Sequence, residues 1–273
     1  MNARQGTPDE FMAVCIARQV QDGDLWTQGL NTPLVMAGLI LAKLTHAPNM
    51  RFASAIGQGL TQDWAPLSLT KSEAMWLDKS VLHVGFAQAV SDVLPSLQPK
   101  EFFRPAQVDA AGNFNNVFIG RDYAHPRLRL PGAGGIPDVT PHYDRSWLYV
   151  PRHARAVFRE NVDFISGLGH RRGRVGGPCY LISDLGQFDW HEGRMRLVSV
   201  HPHADQETIE RKTGFELITA PDLSETTPPT TEDLHLLRDV IDPLNIRKLE
   251  TLAGGARKDL LRQIIQTEQP LSD

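Results

Sequence analysis

Residues 104–138 read RPAQVDAAGNFNNVFIGRDYAHPRLRLPGAGGIPD, and the punctuation of this stretch decides how the chain folds. It opens on a strand-like run, turns at Ala111-Gly112-Asn113, resumes as a strand at Asn115–Ile119 and closes on Pro131-Gly132-Ala133-Gly134-Gly135. Three glycines in four residues remove Cβ atoms where a backbone must approach something closely or take a positive φ. Pro137 suits the first turn of a helix, because the N–H it lacks would be unpaired there. A glycine nest running into a helix start aims free N–H groups at one point and can cradle an anion or oxyanion. A tight turn packed on a neighbouring strand is the alternative that so short a motif leaves open.

Moving outward, Thr7-Pro8-Asp9-Glu10 reads as a helix start with a capping box, followed by helical spacing through Phe11, Val14, Cys15 and Arg18. Leu25–Gln28 suits a strand, Pro33–Thr45 a helix apolar around most of its circumference, and Met50–Ala55 a second strand after the Ala47-Pro48-Asn49 break. Strand, helix and strand in that order predict a parallel α/β unit. Further strands are expected at Phe102–Val108, Trp147–Val150, Val162–Ser166, Tyr180–Ser183, and Phe188–Trp190 paired with Met195–Val200 across Glu192-Gly193. Helical pieces are expected at Glu73–Asp78, Ala87–Val93, Ile209–Thr213 and Glu232–Val240. A polar tail from about residue 250 reads as helical through Leu260–Ile265 before fraying. The expectation is one α/β domain over residues 1–273, an open sheet with flanking helices.

Hydrophobic residues make up 41% of the chain and charged ones 22%, the balance of a globular protein. The net charge of −4 and the lack of a long basic cluster argue against nucleic acid as partner. Two cysteines without metal-ligand spacing fit a reducing cytoplasm. The polar opening MNARQGTPDE and the lack of a long apolar run argue against a membrane segment.

Several chemistries lack their motif. No G-x-S-x-G elbow, G-x-G-x-x-G fingerprint or Walker loop is present. His201-Pro202-His203 has no third ligand at zinc-like spacing, so no metal is expected. Ser166-Gly167-Leu168-Gly169-His170 reads as a loop after a strand, with a place in the lining of a ligand site as the alternative. Gly173-Arg174-Val175-Gly176-Gly177-Pro178 is either a flexible connection or a phosphate or carboxylate contact.

Taken together, several stretches resemble the B-type chain of family I CoA-transferases, the glutaconate CoA-transferase type. Pro33-Leu34 and Ala47-Pro48-Asn49 resemble its first α/β unit. Ala106-Gln107-Val108-Asp109 with Gly112-Asn113-Phe114-Asn115 resembles its A-Q-x-D…G-N-x-N strand pair, and Pro131–Gly135 its G-x-G-G loop. Val162-Asp163-Phe164-Ile165-Ser166, Ser183-Asp184-Leu185-Gly186, Thr213-Gly214-Phe215-Glu216-Leu217 and Val240-Ile241-Asp242-Pro243 follow in the family's order, so the similarity runs from about Phe11 to Pro243.

The resemblance implies a CoA-transferase-like α/β fold, an A-type partner chain in a heterodimer or heterotetramer, and an active site where the two chains meet. No cofactor is held permanently; coenzyme A arrives as part of an acyl-CoA substrate. Family members attack the thioester with a glutamate of the B-type chain. The alignment puts Ala55 at that position, and no Asp or Glu lies between Asn49 and Gln62. A related branch without this glutamate comprises heteromeric hydrolases that open steroid rings as CoA thioesters, and Thr231–Pro243 resembles that branch. Under this reading Gly132, Ala133, Gly134 and Gly135 supply N–H donors or close packing at the acyl group. Gln107 and Asn115 line the cleft, and Ser54 and Gln58 fill the space the nucleophile vacated. For the four polar residues a purely structural contact is the alternative. CoA transfer, or a non-catalytic role beside the A-type chain, remain the competing functions.

Overall fold

The computed structural model describes residues 6–29, 32–54, 59–142, 144–173 and 175–269. Its internal contacts form two compact units, one of residues 1–89, 99–101 and 227–273, the other of residues 90–98 and 102–226.

In the first unit, strands β1 (Leu25–Gln28) and β2 (Arg51–Ser54) are parallel, joined through the Pro33–Thr45 helix as the strand–helix–strand order predicts. β3 (Gly59–Thr61) and β4 (Ser80–His83) extend this sheet antiparallel, two strands that carry no strong sequence signal. The Pro8–Ala17 and Pro33–Thr45 helices are buried along most of their length. Gly38 sets their spacing: a Cβ there would meet Ala13 O at 2.6 Å, so only glycine permits this approach. The tail does not fray at Ile265. A helix spans Gly254–Glu268, and the Glu268 carboxylate accepts hydrogen bonds from the backbone N–H groups of Leu69 and Thr70 at 2.9 and 2.7 Å.

A buried ionic cluster ties the first unit's chain segments together. Arg247, 0% exposed, reaches Asp242 Oδ2 at 2.8 Å and Glu10 Oε1 at 3.2 Å, and faces Asp9 Oδ2 at 2.8 Å without hydrogen-bond alignment. Arg238 adds a fork onto Glu10 at 2.7 and 2.9 Å. The capping box is present as expected, with Glu10 accepting from Thr7 N–H at 2.8 Å. Burial pushes the Glu10 carboxyl up, but the Arg238 and Thr7 hydrogen bonds and the charges of Arg247 and Arg238 outweigh it and lower its pKa from 4.5 to about 2. A carboxylate with a lowered folded-state pKa stabilises fully above its unfolded value and loses that contribution as pH falls through the folded one. The stability difference between wild type and Glu10→Gln, measured by urea unfolding, should therefore shrink by about 3 kcal/mol between pH 5 and pH 2.

The second unit opens with β5 (Phe102–Phe103). Short antiparallel pairs follow: β6 (Gln107–Val108) with β7 (Phe114–Asn115), and β8 (Phe118–Ile119) with β9 (Leu128–Arg129). β10 (Arg145–Val150), β11 (Gly177–Ser183), β12 (Gly186–His191), β13 (Arg194–Val200) and β14 (Ile218–Glu225) then complete a sheet in the order β14-β13-β12-β11-β10-β5. β5, β10 and β11 are mutually parallel, and β12 and β13 form the expected hairpin, with Glu192 at φ 50° and Gly193 at φ 76°. Phe103, Phe114, Leu148, Phe158, Leu181, Phe188 and Leu197 lead its core.

Three expected strands come out differently, one of them Asn115–Ile119, which is divided between β7 and β8 in two sheets. Phe102–Val108 is two strands in two sheets, because Pro105 has no N–H to carry a ladder past Phe103. Val162–Ser166 forms no strand. Asp163 N–H donates to the Gln107 side chain at 3.0 Å, Ser166 N–H donates to Phe114 O at 2.9 Å, and Ser166 Oγ accepts from Asn116 N–H and donates to Phe114 O.

Candidate functional site

In open sheets with parallel strands, ligands gather outside the strands' carboxyl ends. In the second unit β5 and β10 run side by side, Phe103 level with Leu148, and each leaves the sheet at a proline, Pro105 and Pro151. A cleft of about 440 Å³ opens there. It is lined by Arg104, Pro105 and Ala106 from the first exit, Val150, Pro151 and Arg152 from the second, and Asn116, Leu130, Pro131 and Gly132 from the rim. The stretch that opened the sequence reading thus contributes both a wall and the rim.

The glycine loop takes the backbone its composition demands. Gly132, Gly134 and Gly135 have φ of 110°, 53° and 85°, and a Cβ on any of them would meet nothing within 4 Å. Positive φ, not crowding within this chain, is what calls for glycine here. Pro137 sits in the first turn of a short Ile136–Val139 helix that Gly135 caps, as expected. The N–H groups of Ala133, Gly134 and Gly135 make no hydrogen bond among the described residues, whereas Gly132 N–H is taken by Asn116 O at 3.0 Å. Three donors of the loop, rather than four, are therefore available to a ligand.

Gln107 and Asn115 are brought together, but as framework. They face each other across β6 and β7, 2% and 0% exposed. Asn115 Nδ2 donates to Gln107 Oε1 at 2.8 Å and Phe118 O at 2.7 Å, and Asn115 Oδ1 accepts from Val117 N–H. Gln107 Nε2 donates to Asp163 Oδ2, which also takes Gly120 N–H, both at 3.0 Å. Neither residue is among those lining this cleft; they tie β6, β7 and the Asp163 segment together. Ser54 is buried at the end of β2 in the first unit, paired with Gly59. Ala55 and Gln58 lie outside the described residues, as does Arg174 of the second glycine-rich loop.

The remaining motifs resolve into structure. Gly167 and Gly169 leave room for the Phe114 ring and for the Ala111–Asn113 turn. Asp109 holds that turn by accepting from Asn113 N–H and Nδ2, both at 2.9 Å. His201 is fully buried between Thr226 Oγ1 and Ser183 O, and burial lowers its pKa to about 4. His153 and Ser183 approach at 3.1 Å, yet His153 is stacked on Phe158 and its pKa is lowered to about 3, mainly by burial. Among the described residues no cluster of His, Cys, Asp or Glu could hold a metal ion, and no helix is long and apolar enough to cross a membrane.

Arg104 and Arg152 carry no sequence motif. The one signal that could have found them is a cation placed one or two residues beyond a strand's carboxyl end.

No family model matches the chain. It is similar to the B-type chain of the 3-oxoadipate CoA-transferase of Pseudomonas knackmussii, 29% identical over 84% of this chain and 91% of that relative. It is likewise similar to the IpdB subunit of the cholesterol ring-cleaving hydrolase of Mycobacterium tuberculosis, 29% identical over 89% of this chain and 98% of the relative. Among solved structures, the decarboxylase AibA/AibB matches with a TM-score of 0.79 and 29% identity, over 90% of this chain and 99% of that one.

Proposed function

We propose that this chain, whose relatives are B-type chains of CoA-transferases and of a cholesterol ring-cleaving hydrolase, is the B-type half of a two-chain enzyme acting on an acyl-CoA thioester, and that its reaction is hydrolysis. The observation that carries this is Ala55, with no Asp or Glu between Asn49 and Gln62. An alanine methyl cannot attack a thioester, form an anhydride or carry CoA, so water takes the nucleophile's place.

Water adds to a carbonyl carbon while its proton passes to a base, and negative charge develops on the carbonyl oxygen. Donors already aimed at that charge lower the barrier without reorganising. The unoccupied N–H groups of Ala133, Gly134 and Gly135 suit that task. The base would come from the A-type chain. Similarity to the IpdB subunit and the resemblance of Thr231–Pro243 support a ring ketone as the carbonyl attacked, with a carbon–carbon bond breaking afterwards.

The test is turnover of the two-chain complex on acyl-CoA with no acceptor acid, with the intact mass of each chain measured during turnover. Sustained consumption without a CoA adduct is expected. A stalled reaction with CoA bound to this chain would overturn hydrolysis in favour of transfer.

A further inference from the structure

The cleft's polar groups are lopsided. Its lining includes two guanidinium groups and no carboxylate. Arg152 is exposed and makes neither an ion pair nor a hydrogen bond among the described residues. Asn116 is oriented by its neighbours: its Oδ1 accepts Ala106 N–H at 2.8 Å, its carbonyl oxygen accepts Gly132 N–H, and its own N–H donates to Ser166 Oγ at 3.0 Å. With the amide oxygen fixed on Ala106, the Nδ2 donor is left over and bonds to nothing among the described residues. Pro105, Pro131 and Pro151 add rigid walls without N–H groups. An open cleft that offers Arg and amide donors, with its Asn116 acceptors already spent, matches an anion with several acceptor oxygens.

We propose that this cleft binds a second anionic group of the substrate, with Arg152 and Arg104 as its charged contacts and Asn116 Nδ2 as its neutral one. The inference rests on the acyl-CoA reading above and, where the acyl chain carries the anion, narrows it to thioesters with a further carboxylate. Two sources share this chemistry: a carboxylate on the acyl chain, and a phosphate of coenzyme A. The cleft's contact with the glycine loop through Pro131 and Gly132 favours the acyl carboxylate, which lies nearer the reacting carbonyl than the phosphates do.

Binding of succinyl-CoA, butyryl-CoA and their pantetheine counterparts to the two-chain complex, measured by calorimetry, separates the sources. For Arg152→Met, succinyl-CoA should bind about 30-fold more weakly, the size of a lost charge-assisted contact, with butyryl-CoA little changed. Arg152→Lys should recover part of the loss. An equal loss on both CoA esters, absent from the pantetheine esters, would assign the site to a CoA phosphate and keep the anion proposal. Undiminished binding of all four probes by Arg152→Met and Arg104→Met would overturn it. An independent readout is the rate at which phenylglyoxal modifies Arg152, which succinate or inorganic phosphate should slow. Protection without any binding of CoA esters would sink the acyl-CoA reading and leave the anion site standing; absence of protection, where CoA esters bind, counts against the site alone.

Discussion

Arg247→Met should lower the stability of this chain by about 3–5 kcal/mol, the usual cost of removing one partner from a buried ion cluster. The guanidinium is fully buried against Asp9, Glu10 and Asp242. Methionine fills much of its volume, so packing accounts for little of the loss. What remains is three carboxylates shut away from water, with Arg238 reaching only Glu10. Asp242 also accepts the N–H groups of Ile246 and Arg247 at 2.6 and 3.0 Å, so the turn after Pro243 should loosen with it. Urea unfolding of the full chain measures the effect. Arg262→Met, which removes an exposed pair with Asp259, should leave the midpoint nearly unmoved. Equal behaviour of the two variants would show that the cluster contributes nothing special.

Gly134→Leu should do the reverse, sparing the fold and removing the activity. Its φ of 53° costs a side chain about 1–2 kcal/mol, and space around the Cβ is open in this chain. The melting temperature should fall by only a few degrees and assembly with the A-type chain should survive. Turnover should drop about 100-fold or more, because the leucine side chain would stand between the loop's N–H groups and the carbonyl oxygen, with an effect the size of a lost oxyanion donor. Normal turnover in an assembled Gly134→Leu complex would mean the loop does not face the reacting carbonyl.

The parts of the fold governed by local rules were legible in the sequence. Pro8 and Pro33 mark true helix starts, Glu192-Gly193 a true hairpin turn, and the run of apolar residues from Leu34 a helix buried almost all round. What escaped is non-local. Val162–Ser166 has strand composition, but Gln107 and Asn116, about fifty residues earlier, take up its polar groups. Glu10 reads as a capping residue and is also the anchor for two arginines more than two hundred residues away. The site divides along the same line. The glycine loop was visible because its backbone demands a residue type. The hydrogen-bond partners of Gln107 and Asn115 cannot be seen in one dimension, because folding alone brings Asp163 and Phe118 to them. Arg104 and Arg152 went unremarked because they become neighbours only when β5 pairs with β10.

The split composition of the first unit bears on how the protein is made. Residues 102–226 form a nearly self-sufficient block that is finished on the ribosome while the unit containing Asp9 and Glu10 still lacks its last segment. At about 5–20 residues per second, the two carboxylates wait roughly 12 to 48 seconds for Arg247 to be synthesised. Throughout that interval the Pro8–Ala17 helix cannot bury its acidic end with a countercharge. The early segment therefore needs protection from aggregation and proteolysis until the last segment of its unit is made.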